Sequence, residues 1–159
     1  MSHQIASRGS PLKRVKVVEF EGIGPGPLAG LLLTQLGAEV TMVARPSPGD
    51  LPKDLTPRED GLLSRGKRRV VLNLKQEDDR TRALEIVAAS DGLIEGNRPG
   101  VMERLGLGPD VCGQLNPRLV YGRMTGWGQD GPLAQAAGHD MNYVALTGLM
   151  SLTERPGHP

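Results

Sequence analysis

The passage from residue 15 to residue 44 restricts the fold of this chain more than any other. A β-branched run, Val-Lys-Val-Val-Glu-Phe at 15–20, is broken by Gly-Ile-Gly-Pro-Gly-Pro at 22–27. A short run of this kind, bounded by Gly and Pro, reads as a buried strand. Pro27 suits the first position of a helix, where its missing N–H would have had no intrahelical partner. Leu28, Leu31, Leu32 and Leu36 then follow on helical spacing, and Gly37 stands where a left-handed cap is expected. A second strand over 38–44 completes a βαβ unit, whose two strands run parallel.

The alternation continues along the chain. Pro, Gly and Asp crowd residues 45–60, which marks an exposed excursion with little regular structure. A strand is expected over 70–74, and a helix over 76–89 with Leu84, Val87 and Ala88 on one face and acids near its start. Leu93 and Ile94 return to the sheet. Helical turns over 102–105 and 109–115 precede a strand over 119–121, then a glycine-rich loop over 126–138. Met141, Val144, Ala145, Leu149 and Met150 space a final helix over 140–150. The expected class is α/β, a Rossmann-like parallel sheet with flanking helices.

Composition bounds what such a fold can do. The 159 residues, 38% hydrophobic and 23% charged, suit one soluble globular domain with its own core. Nineteen basic and eighteen acidic residues leave a formal charge of +1, so no global field drives binding to nucleic acid or membrane. Phe20, Tyr121, Trp127 and Tyr143 are too few aromatics for a base-stacking surface. No apolar run approaches the roughly 20 residues that span a bilayer. Residues 1–14 lack the apolar core of a secretory signal and are expected to be a flexible tail ahead of a domain over 15–159. The lone Cys112 excludes an intrachain disulfide and a multi-cysteine metal site, and is expected to be a small buried apolar residue. It suits a reducing compartment, so a cytoplasmic location is expected.

Gly24-Pro-Gly-Pro-Leu-Ala29 satisfies the permissive dinucleotide fingerprint at a strand-to-helix turn. The end of the second strand offers Arg45 rather than the acid that a plain NAD site would want, and an arginine there suits a ribose phosphate. NADP and coenzyme A both carry one. Pro25 and Pro27 each remove an N–H from a loop that would cradle a pyrophosphate, which weakens the dinucleotide reading. A tight packing turn remains an equal alternative. The basic cluster Arg-Gly-Lys-Arg-Arg at 65–69 reads first as solvated charge and second as a phosphate contact.

Several ordered segments together resemble the α-methylacyl-CoA racemases of the family III CoA-transferase superfamily. They are Gly-Ile-Gly-Pro-Gly-Pro at 22–27, Ala-Arg-Pro at 44–46, Gly-Lys-Arg at 66–68 and Leu-Asn-Leu-Lys at 72–75. Ile-Glu-Gly-Asn-Arg-Pro-Gly-Val-Met-Glu-Arg-Leu-Gly at 94–106, Arg-Met-Thr-Gly-Trp-Gly-Gln at 123–129 and Ala-Gly-His-Asp-Met-Asn-Tyr at 137–143 follow. The resemblance covers nearly everything after Leu12 and implies the N-terminal part of that fold.

The resemblance also implies a site. Arg45 would face the adenosine end of CoA beside Leu72, Asn73, Leu74 and Lys75. Gly96, Asn97, Arg98 and Arg104 would line the phosphate and pantetheine path, although the family more often has an aromatic residue at the position of Asn97. Gly138, His139, Asp140, Met141, Asn142 and Tyr143 would also bind the acyl-CoA substrate. Racemisation removes a proton α to a thioester carbonyl and returns one to the opposite face, which needs two acid/base groups. His139 is the expected first of them, with Asp140 beside it at a helix start that favours developing negative charge. The second, an aspartate in the family, would fall after Pro159, so the chain alone is expected to be inactive. Acyl-CoA enters as substrate, with no separate cofactor and no metal, and family members are homodimers. A CoA-transferase moving CoA between carboxylic acids, a non-catalytic CoA-binding remnant and, more distantly, an NADP-dependent reductase are the competing readings.

Overall fold

The computed structural model describes residues 9–46 and 61–153. Residues 1–8 of the expected tail and 47–60 of the expected excursion lie outside the described residues. The chain divides into two compact units, Met1–Met124 and Thr125–Pro159.

The first unit is a parallel α/β sheet. Strands β1 (Lys16–Phe20), β2 (Glu39–Ala44), β3 (Arg68–Val71), β4 (Gly92–Glu95) and β5 (Val120–Arg123) lie in the order β3-β2-β1-β4-β5. Every neighbouring pair is parallel: Val18 lies opposite Thr41 and Leu93, Val43 opposite Val70, and Leu93 opposite Tyr121. This order reverses direction between β1 and β4, the switch point at which open α/β sheets place their ligand crevices. Helix α1 (Pro25–Gln35) connects β1 to β2. A 3-10 turn at Leu62–Ser64 precedes β3, and α2 (Glu77–Ala88) connects it to β4. Short helices α3 (Val101–Arg104) and α4 (Pro109–Leu115) lead to β5.

The central strand β1 is buried from Val17 to Phe20 and divides the core by the period-two alternation of a strand. Val18 and Phe20 enter the main cluster with Val43, Leu72, Ala83, Val87, Leu93, Met102, Leu107 and Cys112. Val17 enters a smaller cluster with Ala38 and Val40. Cys112 is fully buried, as expected; its Sγ donates to the Leu107 carbonyl at 3.3 Å, and burial pushes the thiol pKa up.

Four expectations are corrected. Residues 10–14, assigned to the flexible tail, form a turn whose Leu12 N–H donates to Leu36 O at 3.0 Å. Helix α1 begins at Pro25, because Gly24 takes the positive φ (72°) that turns the chain out of β1 and so sets the first helical residue two positions early. The leucine stripe does not form the buried face of α1. Leu31 is buried at 7% exposure, whereas Leu28, Leu32 and Leu36 are about half exposed; Gly26, Pro27, Gly30 and Leu31 face inward instead.

The fourth correction concerns the second unit. The single helix expected over 140–150 is two, α5 (Asp140–Leu146) and α6 (Leu149–Thr153). Gly148 at φ 76° breaks the continuity, because a left-handed residue ends a right-handed helix.

Candidate functional site

The first unit carries a cavity of about 520 Å³ at the carboxyl ends of its strands. Phe20 and Glu21 contribute from the end of β1, and Val43, Ala44, Arg45 and Pro46 from the end of β2. The segment after β3 supplies Leu72, Asn73, Leu74 and Lys75; Asn97, Val101 and Leu105 complete the wall from the β4 side. Most of this wall is hydrocarbon, with the cations Arg45 and Lys75, both exposed, as its positive charges.

Each loop of the wall is braced by a side chain. The Asn73 N–H donates to Asp79 Oδ2 at 2.8 Å, an acid in the first turn of α2, and Asn73 Oδ1 accepts from the Lys75 N–H at 3.2 Å. The Asn97 N–H donates to Glu95 Oε2 at 2.6 Å, and Asn97 Nδ2 contacts Met102 Sδ at 3.3 Å. The Arg45 N–H donates to Glu21 Oε2 at 3.0 Å. Burial raises the Glu95 carboxyl above the usual carboxylate range, against the lowering pull of the Asn97 N–H and of Arg123. Arg123 bridges Glu95 and Glu103 and lies 5.5 Å from the centre of the Tyr121 ring.

Of the residues expected near CoA, the cavity gathers Arg45, Leu72, Asn73, Leu74, Lys75 and Asn97. Gly96, Arg98 and Arg104 are not in its wall. They belong to the same connection between β4 and α4, with Gly96, Arg98 and Arg104 all exposed. The fingerprint turn is not in the wall either. Gly26 and Pro27 are buried, and Lys67 Nζ donates to Pro27 O at 2.8 Å, so the turn is occupied by packing. That favours the packing-turn reading over a pyrophosphate cradle.

Lys67 and Glu19 are what sequence reasoning missed. In the basic cluster Lys67 is neither solvated nor presented to a ligand: its Nζ lies 2.6 Å from Glu19 Oε2, and both side chains are fully buried. The available signal was Glu19 itself, a carboxylate inside a buried strand, which demands a partner. Glu21, one position beyond β1, gave no sequence signal.

In the second unit His139 heads α5, and its backbone N–H donates to Asn142 Oδ1 at 2.9 Å. Trp127 and Tyr143 pack with ring centres 5.1 Å apart, and Trp127 Nε1 donates to Ala137 O at 3.4 Å. Gly126 and Gly138 make room for this pair: a Cβ at either would collide with the Tyr143 hydroxyl. The motif at 137–143 is thereby braced by the aromatic contact and by the Asn142 cap, with His139 and Asp140 exposed at the helix start. Among the described residues no group of three or more His, Cys, Asp or Glu could hold a metal ion. No described helix is long and apolar enough to cross a membrane.

Comparison with known proteins gives a consistent picture. The family described as CoA-transferase family III matches residues 12–159. Alpha-methylacyl-CoA racemase of Mus musculus is 42% identical over 146 residues, covering 92% of this chain and 36% of the relative. Acetyl-CoA:oxalate CoA-transferase of Acetobacter aceti is 37% identical, covering 94% of this chain and 40% of the relative. The crystal structure of a CAIB/BAIF family protein from Brucella suis superposes with a TM-score of 0.82 at 31% identity, over 94% of this chain and 42% of that one. The chain thus spans well under half the length of the relatives it matches.

Proposed function

Because this chain belongs to CoA-transferase family III, we propose that its first unit holds the nucleotide end of an acyl-CoA thioester. We further propose that the protein is an isomerase interconverting (R)- and (S)-2-methylacyl-CoA. The cavity carries the CoA reading: a hydrocarbon wall suits adenine and pantetheine, and Arg45 and Lys75 supply cations for the phosphates. A guanidinium takes two phosphate oxygens at once, and an ammonium acts as a point charge. The packed fingerprint turn argues against NADP. Calorimetric titration with CoA and NADP tests this, with tighter CoA binding expected and a loss of roughly ten-fold or more on Arg45→Ala. Tighter NADP binding overturns it.

The isomerase reading is supported by the racemase relatives and by the Gly-His-Asp-Met-Asn-Tyr segment at 138–143. In this proposal His139 takes the α-proton, the C–H electron pair moves onto the thioester oxygen as an enolate, and a second acid/base group returns a proton to the other face. Asp140 assists beside His139, and the second group is assigned to no residue of this chain. Incubating each 2-methylacyl-CoA epimer with the chain in deuterated water follows label and configuration separately. Exchange at one epimer that His139→Ala abolishes supports the assignment; exchange untouched by that change removes His139 from the mechanism. The homodimer expected of the family belongs to the same proposal, and sedimentation of the full-length protein tests it.

The CoA-transferase reading is favoured by the Acetobacter aceti relative. It shares the CoA cavity and differs in chemistry: CoA would pass from an acyl-CoA to a free carboxylate. CoA transfer without α-proton exchange would replace the isomerase by the transferase. Binding with neither activity would leave a non-catalytic CoA-binding protein.

A further inference from the structure

A carboxylate in the wall of a proposed phosphate site calls for an explanation, because it opposes the charge of the ligand. Glu21 is that carboxylate. Its backbone N–H continues the sheet ladder beyond β1, donating to Val43 O at 2.9 Å. One step on, β2 ends at Ala44 and the chain leaves the sheet at Arg45. There Glu21 Oε2 accepts the Arg45 N–H at 3.0 Å, in place of the next carbonyl of a ladder. The same oxygen lies 3.8 Å from Arg45 Nε, and Arg45 Nη2 donates to Glu21 O at 3.4 Å.

One residue therefore holds Arg45 by its backbone and at two points along its guanidinium. The side chains differ in exposure, 8% for Glu21 and 48% for Arg45. The acid is the fixed member of the pair and the base the accessible one. A guanidinium has five N–H donors, so an arginine steered through Nε and one Nη keeps donors for a ligand while losing rotamer freedom. Pre-ordering of this kind lowers the entropy that binding must otherwise spend on the side chain.

We propose that Glu21 is the positioning residue of Arg45, fixing the guanidinium for the ribose phosphate of CoA. This rests on the CoA reading above. The proposal has a sign that simple electrostatics does not share. Removing an acid beside a polyanion should tighten binding if charge alone matters; removing a positioning residue should weaken it.

The experiment compares CoA with 3′-dephospho-CoA in calorimetric titrations of the chain and of Glu21→Ala and Glu21→Gln, in both Arg45 and Arg45→Ala backgrounds. The expected result is a roughly ten-fold loss of CoA affinity for Glu21→Ala. Dephospho-CoA should lose less, and Glu21→Gln, which retains an acceptor for the Arg45 N–H, should fall between. In the Arg45→Ala background the Glu21 effect on CoA should vanish or reverse. A general loosening of the fold would weaken both ligands equally, and thermal unfolding reports it directly. Where Glu21→Ala unfolds, Glu21→Gln carries the same comparison. Tighter CoA binding by either variant, or an unchanged ratio between the two ligands, overturns the positioning role and leaves the CoA reading intact. Absence of CoA binding by the unaltered chain overturns both.

Discussion

Lys67 Nζ lies 2.6 Å from Glu19 Oε2 with both side chains fully buried, and the same Nζ donates to Pro27 O at 2.8 Å. This cation thus joins the central strand β1 to the first turn of α1, the turn that the sequence presents as a nucleotide fingerprint. Among the described residues Glu19 Oε1 is buried with no hydrogen-bond partner, and burial raises the Glu19 carboxyl above the usual carboxylate range despite Lys67.

Lys67→Met should be strongly destabilising, because breaking a buried pair from one side leaves an uncompensated charge, at a cost of about 3–5 kcal/mol. The defect should shrink as pH falls and Glu19 takes up a proton. Urea unfolding at several pH values checks this. A loss independent of pH would mean that packing of the lysine stem, rather than its charge, holds the turn.

Two glycines in helices should respond to alanine in opposite directions. A Cβ at Gly30 would collide with Glu19 Oε2 and stand 2.9 Å from Lys67 Nζ, so Gly30→Ala should destabilise although alanine is the better helix former. Gly113 in α4 has open space around its Cβ position, and Gly113→Ala should stabilise by about 0.5–1 kcal/mol. Thermal unfolding of the two variants side by side would show whether the Glu19–Lys67 pair excludes side chains from α1.

Leu31 and Leu32 are neighbours in sequence with different environments, 7% and 50% exposed. Leu31→Ala should cost about 2–5 kcal/mol, the range for a buried leucine, and Leu32→Ala well under half of that. Equal losses would mean that the outer stripe Leu28, Leu32 and Leu36 is buried in solution.

Glu95 supplies a pH dependence with a defined sign. Its folded pKa is raised above 4.5, chiefly by burial, so the folded state binds its proton more readily than the unfolded state does. The contribution of this group to stability is present at acid pH and is lost as pH rises from 4.5 through the raised folded value. Glu95→Gln stays neutral throughout, so its stability relative to the unaltered chain should rise as pH climbs from 4.5 through the raised folded value. A difference that runs the other way would mean that the Asn97 N–H and Arg123 outweigh burial.

Much of the fold is legible because its elements announce themselves locally. The run at 15–20 corresponds to β1, the span 76–89 brackets α2, and 109–115 matches α4. Where the reading slipped, a single backbone conformation or a choice of face was responsible. Gly148 at φ 76° divides one periodic pattern into two helices, and hydrophobic spacing does not register a φ angle. In α1 the spacing of Leu28, Leu32 and Leu36 is as regular as that of Pro27, Gly30 and Leu31. The face that meets the sheet is the one with small residues, because the Glu19–Lys67 pair fills the space beneath it.

The sequence by itself determined the βαβ start, the parallel α/β class and, through ordered motifs from Gly22 to Tyr143, the family. It also marked Arg45 and the segment from Leu72 to Lys75, which the sheet brings into one cavity because parallel strands deliver their carboxyl ends to the same edge. Only the tertiary structure decided what each charge does. Lys67, between Gly66 and Arg68, and Arg45, between Ala44 and Pro46, are both basic residues at the edge of a strand in the sequence. One is sealed against Glu19, 48 positions away, and the other is held half exposed by Glu21, 24 positions away. The role of a charge depends on its solvation and its partner, and both are set by contacts far apart in the chain that no local pattern encodes.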